Sequence, residues 1–175
     1  MKIICIDPGH GGIQPGAAYG GRLEKDATLS ISMRLRDKLE ASGYRVIMTR
    51  DTDIDVSLKR RCEISNGAGA DAFVSIHLNA STNPAAHGAE TWKWERAKGA
   101  LADAVQTELI SASGFKDRGV RSTSVFYVLR HTVAPALVVE CGFISNETER
   151  GRLFDEAMQD KIAAGIARGI ARVIN

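Results

Sequence analysis

Four side chains in this sequence have the types and positions that hydrolytic chemistry needs: His10, Glu24, His77 and Glu140. Two imidazoles and one carboxylate around an open position for water are a recurrent catalytic zinc shell, and zinc accepts such ligands from distant parts of a chain. His10, Glu24 and His77 are assigned to that shell. Glu140 follows the apolar run Ala136-Leu137-Val138-Val139, where burial disfavours the charged carboxylate and raises its pKa toward a useful general base and acid. Singly, each residue has a plainer explanation. A histidine at a strand end ordinarily reaches water, and an acidic residue at a helix entrance ordinarily meets the helix dipole. Glu140 resists such an explanation, because an ionisable group inside an apolar strand is costly unless it is paired or functional.

The elements around these residues must bring them together. Ile3 to Asp7 is a short apolar strand stopped by Pro8-Gly9, with His10 on the turn beyond it, outside the carboxyl end of a strand where α/β sheets build their sites. A polar loop runs to Glu24. Ala27, Ile31, Leu35 and Leu39 then recur every fourth residue, which predicts a helix up to Gly43 with Glu24 at its entrance. Tyr44 to Thr49 reads as the second strand, and a shorter helix places Leu58, Cys62 and Ser65 on one face. Ala72 to Leu78 is apolar throughout, as an interior parallel strand is, and it carries His77 near its end.

Gly88 to Trp94 reads as the fourth strand, followed by a helix through Ala97, Leu101, Val105 and Leu109 that stops at Gly114. Ser124 to Arg130 is the expected fifth strand and Ala136 to Cys141 the sixth. Asn146 and Glu149 have the spacing of a capping box, and Met158, Ile162, Ile166, Ile170 and Ile174 make a long amphipathic last helix. Alternating strands and helices predict an α/β fold: a single three-layer domain over residues 1–175, with a mostly parallel six-stranded sheet flanked by helices.

Composition narrows the function classes. A chain of 175 residues with 44% hydrophobic and 25% charged side chains suits a globular core rather than disorder. A net charge of +2 with scattered basic residues does not suggest a nucleic-acid partner, and no membrane span is visible. Met1-Lys2 runs straight into the first strand without a signal sequence, so the route to any extracellular target is left open. Cys5, Cys62 and Cys141 form no C-x-x-C pair and are expected to be reduced and buried. A cysteine-nucleophile reading of Cys141 fails because adjacent strand residues face opposite sides, so Cys141 faces the core if Glu140 faces the site. The glycines near His10 lack both G-x-G-x-x-G and a following lysine-serine pair, which argues against a phosphate loop. His87 and His131 are read as exposed loop histidines, and Lys25 and Asp26 as solvated residues of a helix's first turn.

The motifs Ile6-Asp7-Pro8-Gly9-His10-Gly11-Gly12, Glu24-Lys25, Thr49-Arg50, Ser75-Ile76-His77-Leu78-Asn79-Ala80, Gly88-Ala89-Glu90, Arg118-Gly119-Val120 and Val139-Glu140-Cys141-Gly142-Phe143-Ile144-Ser145-Asn146 resemble, in order, those of the zinc-dependent N-acetylmuramoyl-L-alanine amidases that cut peptidoglycan. The resemblance spans nearly the whole chain. It implies a Zn2+ cofactor on His10, Glu24 and His77, Glu140 as the catalytic glutamate, peptidoglycan as substrate, and action on the bacterial cell wall as an autolysin, an endolysin or a sporulation enzyme. Asn79 and Glu90 are expected either to support the site or simply to bond within their loop and strand. Some members carry a long helical insertion after the histidine strand that covers the zinc until a partner removes it; residues 79–87 are too few for such a helix, so no activator protein is expected. With no wall-binding module after the last helix, the chain is expected to be a bare catalytic domain or a fragment of a larger lysin. The rival readings are a zinc peptidase or deacylase acting on another amide, and a wall-binding module without turnover, which would need one of the four key residues missing.

Overall fold

The computed structural model describes residues 1–175. Its elements are, in chain order, β1 (Ile3–Pro8), β2 (Ala18–Tyr19), β3 (Arg22–Leu23), α1 (Glu24–Ala41), β4 (Arg45–Met48), α2 (Leu58–Gly67), β5 (Ala72–Asn79), β6 (Ala89–Trp94), α3 (Ala100–Ser113), β7 (Asp117–Thr123), α4 (Tyr127–His131), β8 (Ala136–Phe143), α5 (Glu147–Leu153) and α6 (Glu156–Ala171). Six strands form one sheet in the order β4-β1-β5-β8-β6-β7. Neighbours are parallel except β6 and β8, which are antiparallel, so the expected mostly parallel α/β sheet is present. No helix is long and apolar enough to cross a membrane.

Strand alternation sorts the two faces. Ile4, Ile6, Val74, Ile76, Leu137, Val139 and Cys141 point to one face and join a large core with α1, α3 and α6. Cys5, Phe73, Ala136 and Val138 point to the other, where a smaller core is closed by Cys62 of α2 and by Val128 and Leu129 of α4. Along this second face the apolar residues give way to polar ones toward the strand ends, and the site forms there.

The fifth strand is not where the sequence pattern puts it. Residues 124–130 enter the short helix α4, and the strand is β7, seven residues earlier. Val128 and Leu129, adjacent in sequence, are both buried against the smaller core, as a helical turn allows and an alternating strand does not. Asp117–Thr123 is polar and half-buried because it is the sheet edge, held by backbone pairing to β6 rather than by apolar burial. The polar loop before Glu24 also contains a small antiparallel pair, β2 with β3. In α2, Cys62 and Ser65 are buried as expected, but Leu58 at the helix entrance is 55% exposed because it overhangs the site. Only half of the capping box forms: Asn146 accepts from the Glu149 backbone N–H, while the Glu149 carboxylate accepts from Gly88 N–H and Phe143 N–H, both at 2.8 Å.

Candidate metal centre

His10 occupies the left-handed region, with φ of 60°, a conformation rare for a residue with a side chain. Two buried arginines hold it there. Arg61 donates to the carbonyls of Pro8 at 2.7 Å and His10 at 2.8 Å, and Arg50 donates to those of Pro8 at 3.0 Å and Gly9 at 2.9 Å. Three successive carbonyls are thereby held by guanidinium groups, which fixes the loop that carries His10. Arg61 is in turn paired with Asp7 at 2.6 Å, and that carboxylate also accepts from Thr49 Oγ1 at 2.5 Å and Ser75 Oγ at 2.6 Å. Asp7 and Arg50 lie in motifs shared with the amidases but, like Arg61, are given no role from the sequence, although a carboxylate in an apolar strand is the same signal that marks Glu140.

Glu24 opens α1 without a side-chain cap from the preceding residue. The helix's free N–H groups are met instead by the loop, with Glu24 N–H donating to Ala17 C=O at 2.9 Å and Lys25 N–H to Pro15 C=O at 3.1 Å. The Glu24 carboxylate, only 3% exposed, accepts from Ala17 N–H and Leu78 N–H, each at 2.9 Å. Its orientation is therefore set from both sides. Lys25, expected to be solvated, instead anchors the glycine turn by donating to Gly12 C=O at 2.9 Å and pairing with Asp53 at 2.7 Å. Asp26 is exposed, as are His87 and His131, the latter at the end of α4 rather than in a loop.

His10, Glu24 and His77 converge. His10 Nε2 lies 3.1 Å from Glu24 Oε2, His77 Nδ1 lies 3.1 Å from Glu24 Oε1, and the two rings meet edge to face with centroids 5.0 Å apart. One ligand atom from each residue falls within 4.8 Å of the others. Bonds of about 2.0–2.2 Å to a tetrahedral zinc place ligand atoms roughly 3.4 Å apart, so the donor set and its spacing fit that ion. A side chain at position 16 would strike Glu24 Oε2 at 2.6 Å and His10 Cδ2 at 2.7 Å, so Gly16 is required for this approach. Burial works against the Glu24 charge, but hydrogen bonding to His10 and His77 outweighs it and holds the carboxyl well below the usual range. Burial likewise opposes the His77 cation, yet the Glu24 carboxylate raises its pKa overall. Concentrated negative charge between two imidazoles is what a divalent cation would neutralise.

Glu140 stands in a row with His77 and Glu90, each paired in register across adjacent strands. Burial, reinforced by the negative charges of Glu24 and Glu90 and opposed by His77, pushes its pKa up to about 7. Its Oε2 is buried without a hydrogen-bond partner. Glu90 is the opposite case: its carboxylate accepts from Asn79, Trp92, Arg118 and Arg121 at 3.0, 3.1, 2.8 and 3.2 Å. That network fixes the Glu90 carboxylate beside Glu140 and gives Asn79 and Glu90 a shared supporting contact. Cys141 is fully buried in the large core, and burial raises its thiol far from a reactive thiolate; Cys5 is pushed up to about 12 in the same way. All three cysteines are free.

Two cavities open on His10 and His77 and also share Leu58 and Val128. One, of about 460 Å³, also contains Gln14, Asp55, Ser57 and Arg61. The other, of about 370 Å³, contains Glu140, Val125, Phe126, Tyr127 and Val138. Fold and site together define an α/β domain in which two histidines and one carboxylate could hold a metal ion, beside a buried glutamate.

Comparison with known proteins agrees. The family model described as N-acetylmuramoyl-L-alanine amidase matches residues 4–172. The amidase LytC of Bacillus subtilis (strain 168) is 38% identical over 172 residues, covering 96% of this chain and 34% of LytC, so the chain spans about a third of that relative. The solved catalytic domain of CwlV, an N-acetylmuramoyl-L-alanine amidase from Bacillus (Paenibacillus) polymyxa var. colistinus, superposes with a TM-score of 0.94 at 36% identity, covering 98% of this chain and 97% of that one. The CwlD amidase of Clostridioides difficile, solved in complex with the GerS lipoprotein, gives a TM-score of 0.94 at 36% identity with 98% of both chains covered. The chain belongs to the N-acetylmuramoyl-L-alanine amidase family.

Proposed function

We propose that residues 1–175 form one catalytic domain that hydrolyses the amide joining the lactyl carboxyl of N-acetylmuramic acid to L-alanine of the peptidoglycan stem peptide. A zinc ion held by His10, Glu24 and His77 would supply Lewis acidity, lowering the pKa of a bound water and polarising the scissile carbonyl. Glu140 would take a proton from the attacking water and deliver it to the leaving nitrogen. The observation that carries this reading is the unpartnered, buried Glu140 oxygen beside the converged triad. A carboxyl with a pKa of about 7 both accepts and releases a proton near neutral pH. Burial of Glu140 is the main cause of that basicity, and Glu90 is held in place next to it by its four donors. Arg50, Arg61 and the backbone N–H groups of Ala17 and Leu78 orient the ligands.

The cell wall is then the place of action, whatever route brings the protein there. The residues between β5 and β6 form no helix that would cover the triad, and both cavities reach it, so the site is proposed to work without an activator. The test is mass spectrometry of purified peptidoglycan after digestion. Stem peptides with a free L-alanine amino terminus and intact sugar chains are expected; peptides cut between amino acids, or sugars that lost only an acetyl group, would replace this reading with the peptidase or deacylase one.

A further inference from the structure

The two cavities flanking the triad differ in one respect that chemistry can use. Glu140 lines the cavity walled by Val125, Phe126, Tyr127 and Val138, and does not line the one containing Gln14, Asp55 and Ser57. Hydrolysis of the amide joins the water oxygen to the acyl carbon and breaks the C–N bond. One water proton passes to the departing nitrogen and the other leaves the new carboxylic acid, so the products are an amine, a carboxylate and a proton that the amine takes up near neutral pH. The group that carries that proton must lie within hydrogen-bond reach of the nitrogen, on the leaving-group side. We propose that the substrate lies across His10 and His77 in one direction only, with the stem peptide in the Glu140 cavity and the muramoyl sugar in the Gln14–Asp55–Ser57 cavity.

The walls suit those halves. The Glu140 cavity presents aliphatic and aromatic surface to the alanine methyl, and Trp92 packs on Phe126 behind it, with ring centroids 5.4 Å apart. Arg121, in register with Trp92 on the neighbouring strand, uses its Nε on Glu90 and is about half exposed, so positive charge lies on the same side of the sheet as Trp92. The opposite cavity presents an amide, a carboxylate and a hydroxyl, groups that bond sugar hydroxyls. This assignment rests on the amidase reading, because only that bond has a sugar on its acyl side and a peptide on its amine side.

Nuclear magnetic resonance of the zinc-loaded protein, titrated separately with the two product halves, tests it. N-acetylmuramic acid is expected to shift the amide signals of Gln14 and Ser57, and the dipeptide L-alanyl-γ-D-glutamate those of Val125 and Tyr127. Tyr127→Ala should weaken dipeptide binding roughly 2- to 10-fold, the range of one aromatic contact, without changing binding of the sugar. Ser57→Ala should do the reverse. Exchanged footprints, or both halves in one cavity, would overturn the direction. The amidase reading fails separately, if the wild type releases no L-alanine amino terminus from peptidoglycan.

Discussion

His77 and Glu140 stand opposite one another on adjacent parallel strands, so a proposed metal ligand and a proposed base share one face of the sheet. Their pairing makes the two roles separable by substitution. Glu140→Gln preserves shape and should leave zinc content and folding near normal while turnover falls about 10²- to 10⁴-fold, the contribution of a positioned acid-base group. Glu24→Gln should lower zinc content as well. Bound metal and product release measured on the same samples decide between them, and loss of zinc in Glu140→Gln with retention in Glu24→Gln would exchange the assignments.

Metal removal is the complementary experiment. A strong chelator should abolish peptidoglycan digestion, and added zinc should restore it. His10→Ala and His77→Ala should bind less than stoichiometric zinc when assayed by metal analysis. Full activity in a sample verified to be metal-free would remove zinc from the mechanism.

The raised pKa of Glu140 has a sign that stability can report. Its folded value of about 7 exceeds the ordinary 4.5, so the native state favours the protonated form. That contribution is complete below about 4.5 and is lost as pH rises through about 7. In metal-free protein, Glu140→Gln should therefore gain stability relative to the wild type on going from pH 5 to pH 8. Denaturant midpoints of the two proteins at both pH values measure the difference, and a difference that does not change with pH would contradict the buried, unpaired carboxyl.

Arg61 is expected to matter for stability more than any surface arginine. It is 4% exposed and shares Asp7, 1% exposed, with Thr49 and Ser75. Arg61→Ala leaves that carboxylate without its cation and should cost about 3–5 kcal/mol, with weaker zinc binding through the released His10 loop. Arg34→Ala breaks only the exposed pair with Glu156 and should cost less than about 1 kcal/mol. Equal effects of the two in equilibrium unfolding would show that the arginine clamp does not hold the loop.

Regulation follows from the connection between β5 and β6. Purified peptidoglycan should be digested by this chain alone at a rate that no added protein is needed to produce. Product release seen only with a second protein present would mean that the triad is covered or incomplete in the isolated chain.

The linear chain already contains the site's chemistry, because charged or imidazole groups at the ends of apolar strands are conspicuous against their surroundings. His10 after Pro8-Gly9, His77 near the end of Ala72–Leu78 and Glu140 in its apolar strand are legible for that reason, and the period of apolar residues marks α1 and α6. Tertiary structure decided what depends on partners distant in sequence. β7 is a strand only because β6 offers its backbone, and Val128 and Leu129 turn into a helix because Cys62 and Phe73 await them. Asp7, Arg50 and Arg61 acquire their role only where the fold brings the two guanidinium groups to the carbonyls of Pro8, Gly9 and His10. Glu90 and Glu140 are both glutamates on neighbouring strands, yet one has four donors and the other an oxygen with none. The raised pKa of Glu140 comes from its surroundings in space, burial first, which local sequence does not specify.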